Sequence, residues 1–286
     1  MNSKAFAIFV GAIMVVSAFA GFVLRGSDQE GTVVVASGSD SLQTFGVQGR
    51  LVDWNFDGLG DVLELSPQNT VIAYWINVTV SQNLSSIAAS ALPQSIGLLY
   101  GSQLYSTPIE RLANINFNGT WTELHWIKPY PVNYDGLVIP YENYMMIPTG
   151  ADYVRVLGRP AVFGSQESVE KVIDVVSGGL SAQEEFSLAG GEQADLQVAA
   201  LGSGGAAMPL SGAYREFYLG VSSPREGEGY YVSAKLLQPE GSAAGKARDI
   251  ASSNNLSFSQ SGETAQASGL VPEERLQGVL TALLGP

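Results

Sequence analysis

Residues 153–177 read YVRVLGRPAVFGSQESVEKVIDVVS, and the fold class follows from this stretch. Tyr153–Leu157 and Ala161–Phe163 are short runs rich in β-branched and aromatic residues, separated by the turn Gly158-Arg159-Pro160. Ser165 then stands where a helix N-cap belongs. Val169, Val172, Ile173 and Val176 follow it at i, i+3, i+4 and i+7, and Gly178 marks the stop. The stretch predicts two strands followed by a helix.

Outward from this unit the same signals recur. Strands are predicted at Gln48–Val52, Val62–Leu65 and Val71–Val80. A helix is predicted from Thr107, where Thr-Pro-Ile-Glu resembles a capping box with Pro at the first helical position and Ile109, Leu112 and Ala113 supply an apolar face. Trp121–Met146, dense in aromatics and proline, suits irregular strands and loops. Leu196–Ala200 is a strand inside the Gly/Ala-rich segment 189–213. Beyond it come a strand at Tyr230–Leu237, a helix at Ser242–Ala251, a strand at Leu256–Ala267 and a helix at Pro272–Leu284, the last with Leu276, Val279, Leu280 and Leu283 on one side. The economical assembly is an α+β fold, a mixed sheet with helices packed on one face. The division it suggests is an N-terminal segment at 1–25, a linker at 26–47 with a strand at Thr32–Ala36, an α+β domain at 48–188, a seam at 189–213 and a smaller α+β domain at 214–286. Strand-then-helix alternation in both halves makes a duplicated ferredoxin-like arrangement one candidate.

Location is the firmest expectation. Ala5–Leu24 contains no charged residue, follows Lys4 and precedes Arg25. At about 1.5 Å per residue a helix of that length just crosses a hydrocarbon core of about 30 Å. The basic residues favour a cytoplasmic N-terminus, which places the rest of the chain outside as the ectodomain of a single-pass membrane protein. A cleaved secretory signal, with Ala18-Phe19-Ala20 before the cut, fits the same residues and would release the chain as a secreted protein. Four Asn-x-Ser/Thr triplets, at Asn77, Asn83, Asn118 and Asn255, exceed the roughly two that chance composition would give and suit exposure to a glycosylating compartment.

Composition narrows the partners. With 27 Asp and Glu against 14 Lys and Arg the net charge is −13, which disfavours nucleic acid and anionic headgroups and suits cations. The chain has no cysteine, which removes disulfides, thiolate catalysis and thiolate metal sites.

One spacing points to a ligand. Asp53-Trp54-Asn55-Phe56-Asp57-Gly58-Leu59-Gly60-Asp61-Val62-Leu63-Glu64 resembles an EF-hand-type calcium loop. The resemblance implies Asp53, Asn55, Asp57 and Glu64 as ligands, with the Leu59 carbonyl and Asp61, directly or through water. Gly60 and the strand-like flanks depart from an EF-hand and fit a structural Ca2+ turn between strands. A polar turn capped by its own Asp and Asn is the alternative. His125, the single histidine, lies in Trp121–Trp126 with no nucleophile motif beside it, so a packed strand histidine is the simpler reading. Glu123 and Glu142 among Trp121, Trp126, Tyr130, Tyr134, Tyr141 and Tyr144 have the composition of a sugar-binding surface. Gly202–Gly205 lacks the Lys-Ser/Thr of a phosphate loop and reads as a turn. The function expected is a membrane-anchored, non-catalytic cell-surface structural or interaction protein, stabilised by calcium, N-glycosylated and meeting other envelope proteins. An anchored carbohydrate-binding protein is the alternative, and an exported hydrolase comes after it.

Overall fold

A computed structural model describes residues 51–285, apart from 94, 106, 128–137, 151, 190, 192 and 224–228. The apolar segment 5–24, the linker 26–47 with its Thr32–Ala36 strand, and Tyr130 and Tyr134 lie outside the described residues. No helix among the described residues is long and apolar enough to cross a membrane.

In chain order the first half contains β1 (Val52–Asp53), α1 (Leu59–Leu65), β2 (Thr70–Asn77), α2 (Gln82–Ala91), α3 (Ile96–Tyr105), β3 (Ile109–Phe117) and β4 (Thr120–Ile127). There follow β5 (Ile139–Tyr141), β6 (Tyr144–Thr149), β7 (Tyr153–Val156), β8 (Gly158–Arg159), β9 (Ala161–Gly164) and α4 (Gln166–Val176). The second half contains β10 (Leu196–Leu201), β11 (Glu216–Ser222), β12 (Tyr230–Leu237), α5 (Gly241–Ser253), β13 (Ser257–Ser261), β14 (Thr264–Val271) and α6 (Glu273–Leu284). The fold is α+β, as the sequence indicates. Twelve strands form one antiparallel sheet in the order β13-β14-β12-β11-β10-β2-β3-β4-β9-β7-β6-β5, while β1 pairs in parallel with β8. From the central β2–β10 pair, β2-β3-β4 and β10-β11-β12 run as meanders; beyond them β9 pairs with β4, and β14 lies between β12 and β13, which are joined through α5 as a split βαβ. β10, inside the Gly/Ala-rich segment, bonds to β2 on one side and β11 on the other, so residues before and after that segment share one sheet.

Helices cover both faces, not one. Ile72, Tyr74 and Ile76 of β2 enter a core with α2, α5 and α6, whereas Ala73 and Trp75 enter a second core with α1 and α4. A strand buried on both faces carries a near-continuous apolar run and gives no sign of which face a helix takes. α4 forms as its sequence predicts: the Ser165 hydroxyl accepts from Ser168 N at 3.3 Å, and Val169, Val172 and Ile173 are buried.

Three local expectations are corrected. Val62–Leu65 is helical, because Leu59, Val62 and Leu63 at i, i+3 and i+4 form the buried stripe of α1. The helix predicted from Thr107 is instead β3. A bulge between Ile109 and Arg111 shifts the register, so Ile109 and Leu112 both face the first core at a spacing that imitates a helix. Leu256–Ala267 is a hairpin, turned where Gly262 takes φ +57°.

Candidate functional site

β4 places Glu123 and His125 on one face by simple alternation, and α3 lies across them. Both side chains have no exposed surface. Ile96 N donates to one Glu123 carboxylate oxygen at 2.9 Å and Gly97 N to the other at 2.8 Å. These are first-turn amides of α3, which have no carbonyl partner within the helix, and an anion is favoured at that end. Ser95 accepts from Leu98 N at 3.1 Å and completes the cap. Asn114 Nδ2 of β3 donates to Glu123 at 3.3 Å, and His125 Nε2 lies 2.9 Å from it. At the other end of α3 the Tyr105 hydroxyl is 2.7 Å from His125 Nδ1. With Nε2–H given to Glu123, Nδ1 accepts the Tyr105 proton in the neutral ring and donates to Tyr105 in the charged one.

The electrostatics follow from this enclosure. Burial pushes the Glu123 carboxyl up, but the hydrogen bond and charge of His125, with hydrogen bonds from Ser95 and Gly97 N, outweigh it and hold the group below its ordinary value. Burial and the nearby Glu123 charge push the Tyr74 phenol far up. Gly97 permits the close approach: a Cβ there would collide with Leu112 Cδ1 and lie 2.5 Å from His125 Nε2. The ring of His125 also stacks on Phe163, with centroids 5.9 Å apart. Chemically, the Glu-His-Tyr chain can hold and share protons. It is walled off from solvent.

The calcium-type residues take separate partners. Asp57 pairs with Arg111 at 2.5 Å, and its N–H donates to Asp61 at 2.5 Å. Arg111 also donates to the Phe56 carbonyl at 3.0 Å and lies 4.2 Å from the Trp126 ring centroid. Glu64 accepts from Gln183 at 2.9 Å. Asp53 and Asn55 are exposed. Leu59 opens α1, so its carbonyl faces along a helix and not into a loop, and its N–H donates to Gln197 at 3.3 Å. Among the described residues no group of three or more His, Cys, Asp or Glu is placed to hold a metal ion.

The other candidates are dispersed. Asn118 and Asn255 are exposed at φ 49° and 57°, the left-handed turn conformation that asparagine tolerates, while Asn77 and Asn83 are half-buried. Of the aromatics, Trp126 packs on Phe56 and Tyr144 meets Trp54 edge-on. The Tyr141 hydroxyl donates to Asp174 at 2.6 Å, and Trp121 joins Tyr153 and Phe163. Glu142 stands exposed in the β5–β6 turn, and Gly202–Gly205 begins a 3-10 segment. The groups missed by sequence reading are Ser95, Gly97 and Tyr105. Ser95 before an apolar run was a readable cap signal. Nothing local marks Tyr105 as the partner of a strand residue twenty positions on.

No family model matches the chain, and no curated protein matches it. Among solved structures, crystal form III of TP0453 is similar at 13% identity with a TM-score of 0.48, over 81% of this chain and 99% of that one. Crystal form I of TP0453 gives 11% identity and a TM-score of 0.48, over 78% and 97%.

Proposed function

We propose that the chain is a non-catalytic structural or interaction protein, held at a cell membrane through residues 5–24 with its sheet and helices on the outer side. The observation that carries the non-catalytic half is the complete enclosure of Glu123 and His125. A general acid or base must come within hydrogen-bond reach of the atom it serves, and these two spend their polar atoms on α3, Asn114 and each other. The uncharged run at Ala5–Leu24 carries the membrane half. Exposed Asn118 and Asn255 are the glycan positions favoured by this reading.

Fractionation tests it. The full chain should sediment with membranes and resist alkaline carbonate, and a chain lacking residues 5–24 should not. Recovery of the full chain from the soluble cytosol would end the reading. A binding role, with carbohydrate as the ligand class, takes second place on one observation: Trp121, Tyr153 and Phe163 cluster with centroids 5.4–6.1 Å apart, and Tyr153 is 36% exposed.

A further inference from the structure

α3 is attached differently from the other long helices. α6 buries Leu276, Val279, Leu280, Leu283 and Leu284, and α4 buries Val169, Val172 and Ile173. α3 buries only Gly97, Gly101 and Tyr105, with Leu98 and Leu104 partly covered, while Leu99 and Tyr100 face solvent. Stabilisation grows with the apolar area removed from water, so apolar burial anchors α6 firmly and α3 weakly. What holds α3 is polar, and it acts at both ends. Glu123 takes the two N-terminal amides, His125 takes Tyr105 at the C-terminal end, and Arg155 Nη1 of β7 donates to the Leu104 carbonyl at 3.2 Å. The two glycines bring the helix close enough for these bonds: a Cβ at Gly101 would lie 2.6 Å from Ile109 Cδ1.

We infer that the Glu123–His125–Tyr105 chain is a proton-sensitive latch, and that acidification releases α3 from β3 and β4 while the rest of the sheet stays folded. Protonating Glu123 replaces a carboxylate that accepts from Ile96, Gly97, Asn114 and His125 with a group that must donate one proton into a ring of donors. Few other charges meet the pair. β2 contributes Tyr74, α3 contributes Tyr105, and Arg155 stands at the far end of the helix. The β9 residues opposite Glu123 and His125 are Phe163 and Ala161, and Leu65–Ile109, which includes α2, contains no charged residue. α4 carries Glu167, Glu170, Lys171 and Asp174, but it packs in the opposite core; β3 adds Glu110 and Arg111, the latter turned to Asp57 and the Phe56 carbonyl, and β8, which touches β4, adds the exposed Arg159. The sign is that of a depressed carboxyl: docking is complete above the ordinary carboxylate range and is lost as pH falls through the lowered value.

Hydrogen exchange by mass spectrometry on the full chain in mild detergent, corrected for the intrinsic pH dependence of exchange, tests this. Between about pH 7 and about pH 3, protection of the 98–105 amides should fall at least about tenfold more than that of β10 and β11. Glu123→Gln should show the loss of α3 protection already at neutral pH. Should that variant fail to fold, Tyr105→Phe, which cuts the C-terminal attachment alone, should deprotect 102–105 first. Simultaneous loss of protection in α3, β10 and β11, or α3 protection that is independent of pH, would overturn the latch.

Discussion

Gly97→Ala and Gly278→Ala make the same chemical change in two helices and should move stability in opposite directions. Replacing a helix-interior glycine by alanine ordinarily stabilises by about 0.8–1 kcal/mol, because the unfolded chain loses freedom. At Gly278 of α6 nothing lies within 4 Å of the added methyl, so this gain should appear in full. At Gly97 the methyl meets Leu112 Cδ1 and lies 2.5 Å from His125 Nε2. His125 cannot withdraw freely, since both ring nitrogens are engaged, with Glu123 at 2.9 Å and Tyr105 at 2.7 Å. Overpacking costs about 1–3 kcal/mol, and a lost hydrogen bond to a charged group adds about 1.5–3 kcal/mol. Less the propensity gain, the net cost is about 1.5–5 kcal/mol. For a folded region of this size, at about 2–4 °C per kcal/mol, Gly97→Ala should melt roughly 10 °C lower and Gly278→Ala roughly 3 °C higher. Thermal unfolding followed by circular dichroism measures both. Equal stabilisation by the two substitutions would show that α3 does not sit against His125 as described.

Three further outcomes follow from the same geometry. Glu123→Gln should lower stability at neutral pH by about 3 kcal/mol, the order of cost of breaking a buried pair, and should flatten the acid limb of the stability curve in urea titrations. The Tyr141 phenol, whose hydrogen bond to Asp174 and then burial push it up to about 12, should ionise late in a spectrophotometric titration. Its contribution holds below the ordinary tyrosine range and is lost as pH rises through about 12; Asp174→Asn should return the titration toward that range. Millimolar calcium should leave the melting temperature unchanged, because Asp57 and Glu64 already have Arg111 and Gln183 as partners. A rise abolished by Asp57→Ala would place an ion there after all.

The sequence was legible where one physical signal acted alone. α4 follows from its Ser165 cap and 3.6-residue apolar spacing, α6 from that spacing alone, and β2, β10 and β12 from β-branched and aromatic runs. It misled where two devices share a pattern. The bulge in β3 puts Ile109 and Leu112 on one face and so copies helical spacing, and the short apolar run of α1 satisfies both templates. The Asp-Asn-Asp-Gly spacing at 53–58 fits a turn and a calcium loop alike and leaves the choice between them open; Arg111, fifty-four positions on, is the partner that Asp57 takes. Of the buried network, the Glu123/His125 alternation was readable. Its pairing with the first turn of α3 was not, because local sequence does not encode which strand a helix will cover.

Orientation is the measurement on which the functional reading turns, and the absence of cysteine makes it clean. Ser259→Cys introduces a single thiol on the exposed strand β13. A membrane-impermeant maleimide applied to intact cells should label it as fully as it does after lysis. Labelling only after lysis would put the fold on the cytoplasmic side and contradict the proposed role at the cell surface.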